Sequence, residues 1–264
     1  MRYILCLSYD GSAFCGWQIQ PSSPSVQQCL EEALAKLCGG PVAVTGAGRT
    51  DTGVHAADYV CHFDLTGSLP FEASDFCYKL NAILPRSIAV RSVLPAAGDF
   101  HARFSAVQRS YTYFIHRKKD PFVAAYSWQC GYPDLDFDAM SEACQYLLGT
   151  HDFSCFEKVG GANKTSLCTV TEAYWKPYTP SLYAVLSDSP AIPDEAKESD
   201  YWYFRVSADR FLRNMVRAIV GTLIEVGRGK HNPEWVAELI AAGSRGDAGE
   251  SVPGHALFLG KVQY

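Results

Sequence analysis

No apolar run in the 264 residues reaches the length needed to cross a bilayer, and the opening MRYILCLSYDG meets Asp10 and Gly11 almost at once. The expectation is a soluble, untargeted, cytoplasmic protein with no membrane partner. Ten cysteines are present (6, 15, 29, 38, 61, 77, 130, 144, 155 and 168), yet no CxxC occurs, and most lie in apolar stretches. Buried reduced thiols are expected rather than a disulfide framework. The histidines do not pair at ligand spacing and Cys61-His62 stands alone, so no metal is expected. A P-loop is absent. Gly46-Ala47-Gly48 lacks the third glycine of a dinucleotide fingerprint and runs into Arg49-Thr50-Asp51 with no helical pattern behind it. What is present is a folded chain, nearly half apolar and long enough for one large core or two modest ones.

Charge is scarce where its sign would settle a partner. The net charge of -5 argues mildly against nucleic acid as a global statement. Its distribution says something else. From Phe100 to Lys119 stand Arg103, Arg109, Arg117, Lys118 and Lys119 with no acid, whereas Asp120 to Glu157 holds neither Lys nor Arg. A second basic set, Arg205, Arg210, Arg213, Arg217, Arg228 and Lys230, is offset only by Asp209 and Glu225. Segregation of this kind can build a positive cleft on an acidic protein, although solvated faces explain it equally well.

Strand-like runs fall at Tyr3 to Tyr9, Val42 to Gly46, Ala57 to Phe63 and Ala89 to Leu94. Between them a capping box at Ser25-Val26-Gln27-Gln28 opens a helix that Gly39 and Gly40 stop, and Phe71 to Leu84 predicts a second, ended by Pro85. The second half repeats the order, with strands at Ser110 to His116, Thr165 to Trp175, Tyr201 to Val206 and Leu257 to Tyr264, and helices at Asp136 to Leu148 and Phe211 to Val226. The pattern predicts an α+β fold of two ferredoxin-like β-α-β-β-α-β halves, 1–105 and 106–264. An acidic, Pro- and Ser-rich excursion at 176–200 interrupts the second.

Asp51 lies in the loop between two strand-like segments, with Gly46, Gly48 and Gly53 around it. Such glycines permit tight turns and close approach of a ligand. A glycine-rich turn with Asp51 as its Asx cap explains them more commonly, yet Arg49, Asp51 and His55 crowd together beside an apolar strand. On the strongly apolar FLRNMVRAIVGTLIEVG, Arg213 and Arg217 share a face one turn apart, where each needs solvent or a carboxylate. Asp51-Thr52-Gly53 is also the triplet of aspartic peptidases. Those enzymes need two carboxylates sharing a proton, and this chain has one such triplet, with Arg49 beside it. A lone carboxylate among arginines and glycines suits a nucleophile or base acting on an electrophilic or sugar carbon of a polyanionic substrate.

Taken in order, YDGSAFCGWQ with SVQQCLEEAL, GAGRTDTGVHA, NAILP, FHARFSAVQRSYTY, GTHDFSCF, FLRNMVRAIVGTLIEVGRG and HALFLGKVQY resemble the TruA-type tRNA pseudouridine synthases over almost the whole chain. The GRTDxGVHA element is highly specific. The resemblance implies two ferredoxin-like halves joined in a continuous antiparallel sheet, with helices on one face and a central RNA-binding cleft. It implies isomerisation of uridine to pseudouridine at positions 38, 39 and 40 of the tRNA anticodon stem and loop, with no cofactor or metal, by a homodimer. By motif position Asp51 looks like the catalytic aspartate, and Arg217 like the partner that keeps it charged. Arg49 resembles the arginine that takes the place of the flipped nucleotide. Tyr111 resembles the aromatic that packs on the uracil, and Leu257 stands where the base pocket is lined. The alternative is a noncatalytic RNA-binding protein on the same fold, which damage at Asp51 or Arg217 would favour; both are intact. Thr52, Ile19 and Cys168 depart from residues common in the family, and the 176–200 excursion has no obvious counterpart there.

Overall fold

A computed structural model describes residues 1–158, 160, 165–186 and 199–264. It is a mixed α+β structure in which most strand pairs are antiparallel. Its residues group into two units, Met1–Arg109 with Phe258–Tyr264, and Ser110–Leu257. The last strand, Leu257–Gln263, therefore contributes chiefly to the first unit rather than closing the second. The reason is its parallel pairing of Phe258 with His55 and of Leu259 with Ala56.

In the first unit, β1 (Arg2–Tyr9) alternates strictly, with Tyr3, Leu5, Leu7 and Tyr9 inward. It pairs antiparallel with β3 (His55–Asp64) on one side and β4 (Ile88–Ala96) on the other. The three-residue β2 (Val44–Gly46) lies antiparallel on β3. Helix α1 (Val26–Cys38) buries Val26, Leu30, Ala33 and Leu34, and the left-handed Gly39 ends it. Its cap is only half of the box read from the sequence. Ser25 accepts from the Gln28 N–H, but the Gln28 side chain turns forward to Glu32 instead of back to Ser25. Helix α2 (Ala73–Ile83) is tied to β4 by Asn81, whose side-chain amide exchanges two 2.8 Å hydrogen bonds with the Val90 backbone.

In the second unit, β5 (Gln108–His116), β9 (Tyr201–Ala208), β8 (Leu167–Pro177) and β7 (Gly149–Asp152) follow one another across the sheet, and β6 (Trp128–Gln129) runs parallel to β5. Helices α3 (Phe137–Gln145) and α5 (Met215–Gly227) pack together, close enough that a Cβ on Gly227 would lie 2.4 Å from the Met140 sulfur. Helix α5 buries eleven of its thirteen residues, as a helix apolar all round must. It starts four residues later than the periodicity predicts, because Asn214 adopts a left-handed φ of 66°. Arg213 thus precedes the helix and does not share a helical face with Arg217. Three short elements, β6, β7 and α4 (Ser181–Leu186), and the longer α6 (Trp235–Ala242) have no counterpart in the sequence reading. Of the acidic excursion, residues 187–198 lie outside the described residues.

Candidate active site

The loop that carries Asp51 runs from Ala47 to Val54, between β2 and β3. It rests on three aromatic side chains. Trp17 and Tyr59 stack with centroids 4.2 Å apart, and Tyr9 meets Tyr59 edge-on at 5.5 Å. Each of these residues also holds the loop. The Tyr9 hydroxyl shares a 2.9 Å hydrogen bond with the Thr50 hydroxyl, the Tyr59 hydroxyl donates to the Gly48 carbonyl, and the Trp17 backbone N–H donates to the Thr50 carbonyl at 3.3 Å. Thr50 is buried as a result, and the residue after it, Asp51, is half-buried.

The segment Asp10 to Trp17 closes the other side of the loop. The Phe14 carbonyl accepts from the Gly53 N–H at 3.3 Å. A Cβ on Gly11 would lie 2.1 Å from the Val54 carbonyl oxygen, and one on Gly16 2.2 Å from that of Thr50. Gly16 also has φ +95°, a conformation that side chains with a Cβ rarely adopt. YDGSAFCGW and GRTDTGVHA are therefore two halves of one structure. The glycines around Asp51 have separate reasons: Gly46 is packed against the Tyr59 hydroxyl and the Trp17 ring, Gly53 has φ +76°, and Gly48 has open space where a Cβ would be.

His55 begins β3 and is buried. Its Nδ1 accepts from the Gly11 N–H at 3.1 Å, and its ring stacks on Phe258 at 4.5 Å. An Asp10 carboxylate oxygen also lies 3.1 Å from Nδ1. His55 is thus a support of the loop. Arg49, two residues before Asp51, is exposed.

The other three residues singled out from the sequence belong to the second unit. Arg217 lies on α5, one of two residues of that helix that are not buried. Its Nε donates to the Val252 carbonyl at 2.7 Å, and the Val252 N–H returns a 3.3 Å bond to the Arg217 carbonyl. The segment around Val252 can lie this close because of two glycines. A Cβ on Gly221 would meet the Glu250 carbonyl oxygen at 1.8 Å, and one on Gly249 the Thr222 nitrogen at 2.6 Å. Thr222 Oγ1 accepts from the Gly249 N–H, and the buried Tyr113 hydroxyl donates to the Pro253 carbonyl at 3.0 Å. The same segment delivers Leu257, which is buried. Tyr111, two residues before Tyr113, is half-buried and meets Phe211 edge-on at 5.0 Å.

In the first unit Arg49 and Asp51 share one loop with His55 at the start of the strand that follows, and in the second the segment bonded to Arg217 at Val252 runs on to Leu257. Tyr9, Trp17, Tyr59, Gly16 and Thr50 were not singled out as site residues. Their sequence signal is position alone: Tyr9, Gly16 and Trp17 fall inside YDGSAFCGWQ, Thr50 inside GAGRTDTGVHA, and Tyr59 in the strand-like run that follows. All ten cysteines are free thiols. Burial pushes the Cys130 thiol up to about 11 and those of Cys144, Cys155 and Cys168 up to about 12, so they stay protonated at neutral pH. Among the described residues, no group of three or more His, Cys, Asp or Glu side chains could hold a metal ion.

A family model described as tRNA pseudouridine synthase matches residues 5–105 and 143–264. The chain is similar to the tRNA pseudouridine synthase A of Porphyromonas gingivalis, 42% identical over 263 residues that cover 100% of this chain and 97% of that protein. It is 46% identical over 266 residues to the tRNA pseudouridine synthase A of Parabacteroides distasonis, covering 100% and 96%. It is 39% identical over 268 residues to that of Bacillus subtilis, covering 100% and 99%. With both motif halves folded into one loop support and the match running end to end, the chain belongs to the tRNA pseudouridine synthase family.

Proposed function

We propose that this protein isomerises uridine to pseudouridine at positions 38, 39 and 40 of the tRNA anticodon stem and loop, with Asp51 as the catalytic carboxylate. The observation that carries the reading is the seat of Asp51. The residue before it is buried and hydrogen-bonded to Tyr9 and Trp17, so the carboxylate is presented from a fixed backbone. Fixed placement is what an enzyme needs from a group acting on one sugar or base carbon. In the reaction the N1–C1′ bond breaks, the uracil turns, and a C5–C1′ bond forms. The proton leaves C5 and one is taken up at N1, so the formula is unchanged and no redox partner is called for.

The remaining roles follow the family resemblance. Arg49, exposed at the loop, fills the stack that the flipped nucleotide vacates. Tyr111 packs on the uracil, Leu257 lines its pocket, and Arg217 is the counter-charge for Asp51. The Val252 bond to Nε fixes the plane of that guanidinium. The two units are read as ferredoxin-like halves with an RNA-binding cleft, working as a homodimer in the cytoplasm without metal or organic cofactor.

The test is release of tritium from tRNA labelled at uracil C5, with no metal or cofactor added. Release that is lost in Asp51→Asn supports the reading. Binding of tRNA without any release would instead identify a noncatalytic RNA-binding protein. Mapping the product by nucleoside analysis of the anticodon arm decides the positions.

A further inference from the structure

The FHARFSAVQR segment folds into a turn to which the proposed reaction gives no role. Residues 101–105 form a closed turn. The His101 N–H donates to Ser105 Oγ at 2.9 Å, the Ser105 N–H returns to the His101 carbonyl at 2.8 Å, and the Arg103 and Phe104 N–H groups both donate to His101 Nδ1. Two anchors fix it from below, the buried His62 and the partly exposed Tyr264. The Ala102 N–H donates to His62 Nδ1 at 3.1 Å, and the Tyr264 hydroxyl donates to the Ala102 carbonyl at 2.8 Å. A turn satisfied on its inner side nevertheless holds a phenyl ring in water: Phe104 is 75% exposed. The ring is not loose. It rests on His101, centroids 4.3 Å apart, with the Arg103 guanidinium 5.6 Å above it.

This turn is stapled to the loop that carries Asp51. Arg109 Nη2 donates to the Ala47 carbonyl at 3.2 Å and to the Arg103 carbonyl at 2.5 Å, while Nη1 holds the Ala106 carbonyl at 2.9 Å. One nitrogen serving both carbonyls puts the turn beside the base of the loop, with Arg49 and Asp51 two and four residues on from Ala47.

We infer that Phe104 and Arg103 form a second RNA contact, in which Phe104 stacks on an unpaired base next to the target uridine and Arg103 binds an adjacent phosphate. The inference rests on the proposed tRNA substrate. Stacking on a pre-positioned aromatic beside a guanidinium is the usual way to hold a single-stranded nucleotide without reading its identity. Charge favours RNA over a second copy of this acidic chain: Arg103 is exposed, and no acid occurs from Phe100 to Lys119.

The test uses full-length protein carrying Asp51→Asn, so that tRNA binding is measured without turnover, across a series of salt concentrations. Phe104→Ala is expected to weaken binding about tenfold at fixed salt, the scale of one lost base stack, and to leave the salt slope unchanged. Phe104→Trp restores affinity and Phe104→Leu does not. Arg103→Gln is expected to reduce the salt slope by about one phosphate contact. In the otherwise wild-type enzyme Phe104→Ala raises KM and leaves kcat at saturating tRNA within about threefold. The side chain is exposed, so the thermal melt is expected to stay put and to report on folding. Wild-type affinity in Phe104→Ala, or an unchanged slope in Arg103→Gln, overturns the inference while tritium release by the parent enzyme leaves the proposed function standing. Loss of release in the parent enzyme is failure of the function itself. Dissociation of a dimer by Phe104→Ala with tRNA affinity intact would assign the ring to a second copy and overturn the inference.

Discussion

Replacing Gly16 by alanine is predicted to damage catalysis without touching Asp51. The added Cβ would lie 2.2 Å from the Thr50 carbonyl oxygen, against about 3.4 Å for ordinary contact, so the two backbones must part by roughly 1 Å. The φ of +95° adds strain of about 1–2 kcal/mol for any residue with a Cβ. Parting the backbones also breaks the bond from the Trp17 N–H to the same carbonyl, a further loss of about 1 kcal/mol. The folded state is therefore expected to lose about 2–3 kcal/mol, and the peptide that leads into Asp51 to shift. A displacement of about 1 Å at a reacting group costs on the order of a hundredfold in rate. Tritium release should be measured under single-turnover conditions, well below the melting temperature and normalised to the folded fraction from circular dichroism. Gly40→Ala is the control, because nothing lies within 4 Å of its Cβ position. A Gly16→Ala enzyme whose normalised rate stays within threefold of wild type would refute the claim that the Asp10–Trp17 segment sets the position of Asp51.

Tyr59→Phe keeps the Trp17 stack and removes the bond to the Gly48 carbonyl, so about 1 kcal/mol of stability should go in urea titration, with a several-fold slower release rate. Gly221→Ala, whose Cβ would meet the Glu250 carbonyl oxygen at 1.8 Å, should cost about 2–3 kcal/mol or more, read by the same titration. Stability should also fall from pH 7 to pH 5. Burial, with the Arg2 guanidinium nearby, holds His62 below its ordinary value of 6.5, and burial does the same to His116. A histidine depressed in the folded state contributes stability that is complete above 6.5 and lost as pH falls through its folded value. Protonated Nδ1 of His62 would also have to release the Ala102 N–H. His62→Gln retains an acceptor and should flatten that slope; a melting temperature equally steep in pH would contradict the assignment.

The element order of the first unit was legible because its apolar spacing is unambiguous: β1 alternates without a break and α1 is bracketed by Ser25 and Gly39. In the second unit, β7 was illegible because Gly149-Thr150-His151-Asp152 is polar and its place is set by pairing with β8 alone. The early start assigned to α5 has a different cause. Phe211 and Leu212 continue the apolar rhythm, and only the left-handed Asn214 breaks the helix ahead of Met215. Of the candidate site, Asp51 and Arg49 stand out in the sequence as charged residues among glycines. The aromatic trio does not, because Tyr9, Trp17 and Tyr59 read as ordinary core. Tyr9 reaches Thr50, and Trp17 reaches Tyr59, across about forty residues of sequence, which periodicity does not record.

The parallel pairing of Phe258 and Leu259 with His55 and Ala56 has a consequence in time. Those partners leave the ribosome about two hundred residues apart, which at bacterial-scale synthesis of about 5–20 residues per second is roughly 10–40 s. For that interval the His55–Ala56 end of β3 lacks its parallel partner, and His55 has no Phe258 ring to stack on. The support of the Asp51 loop is thus finished last although the loop itself is made early. A nascent or prematurely ended chain holds Asp51 but not the full support of its loop.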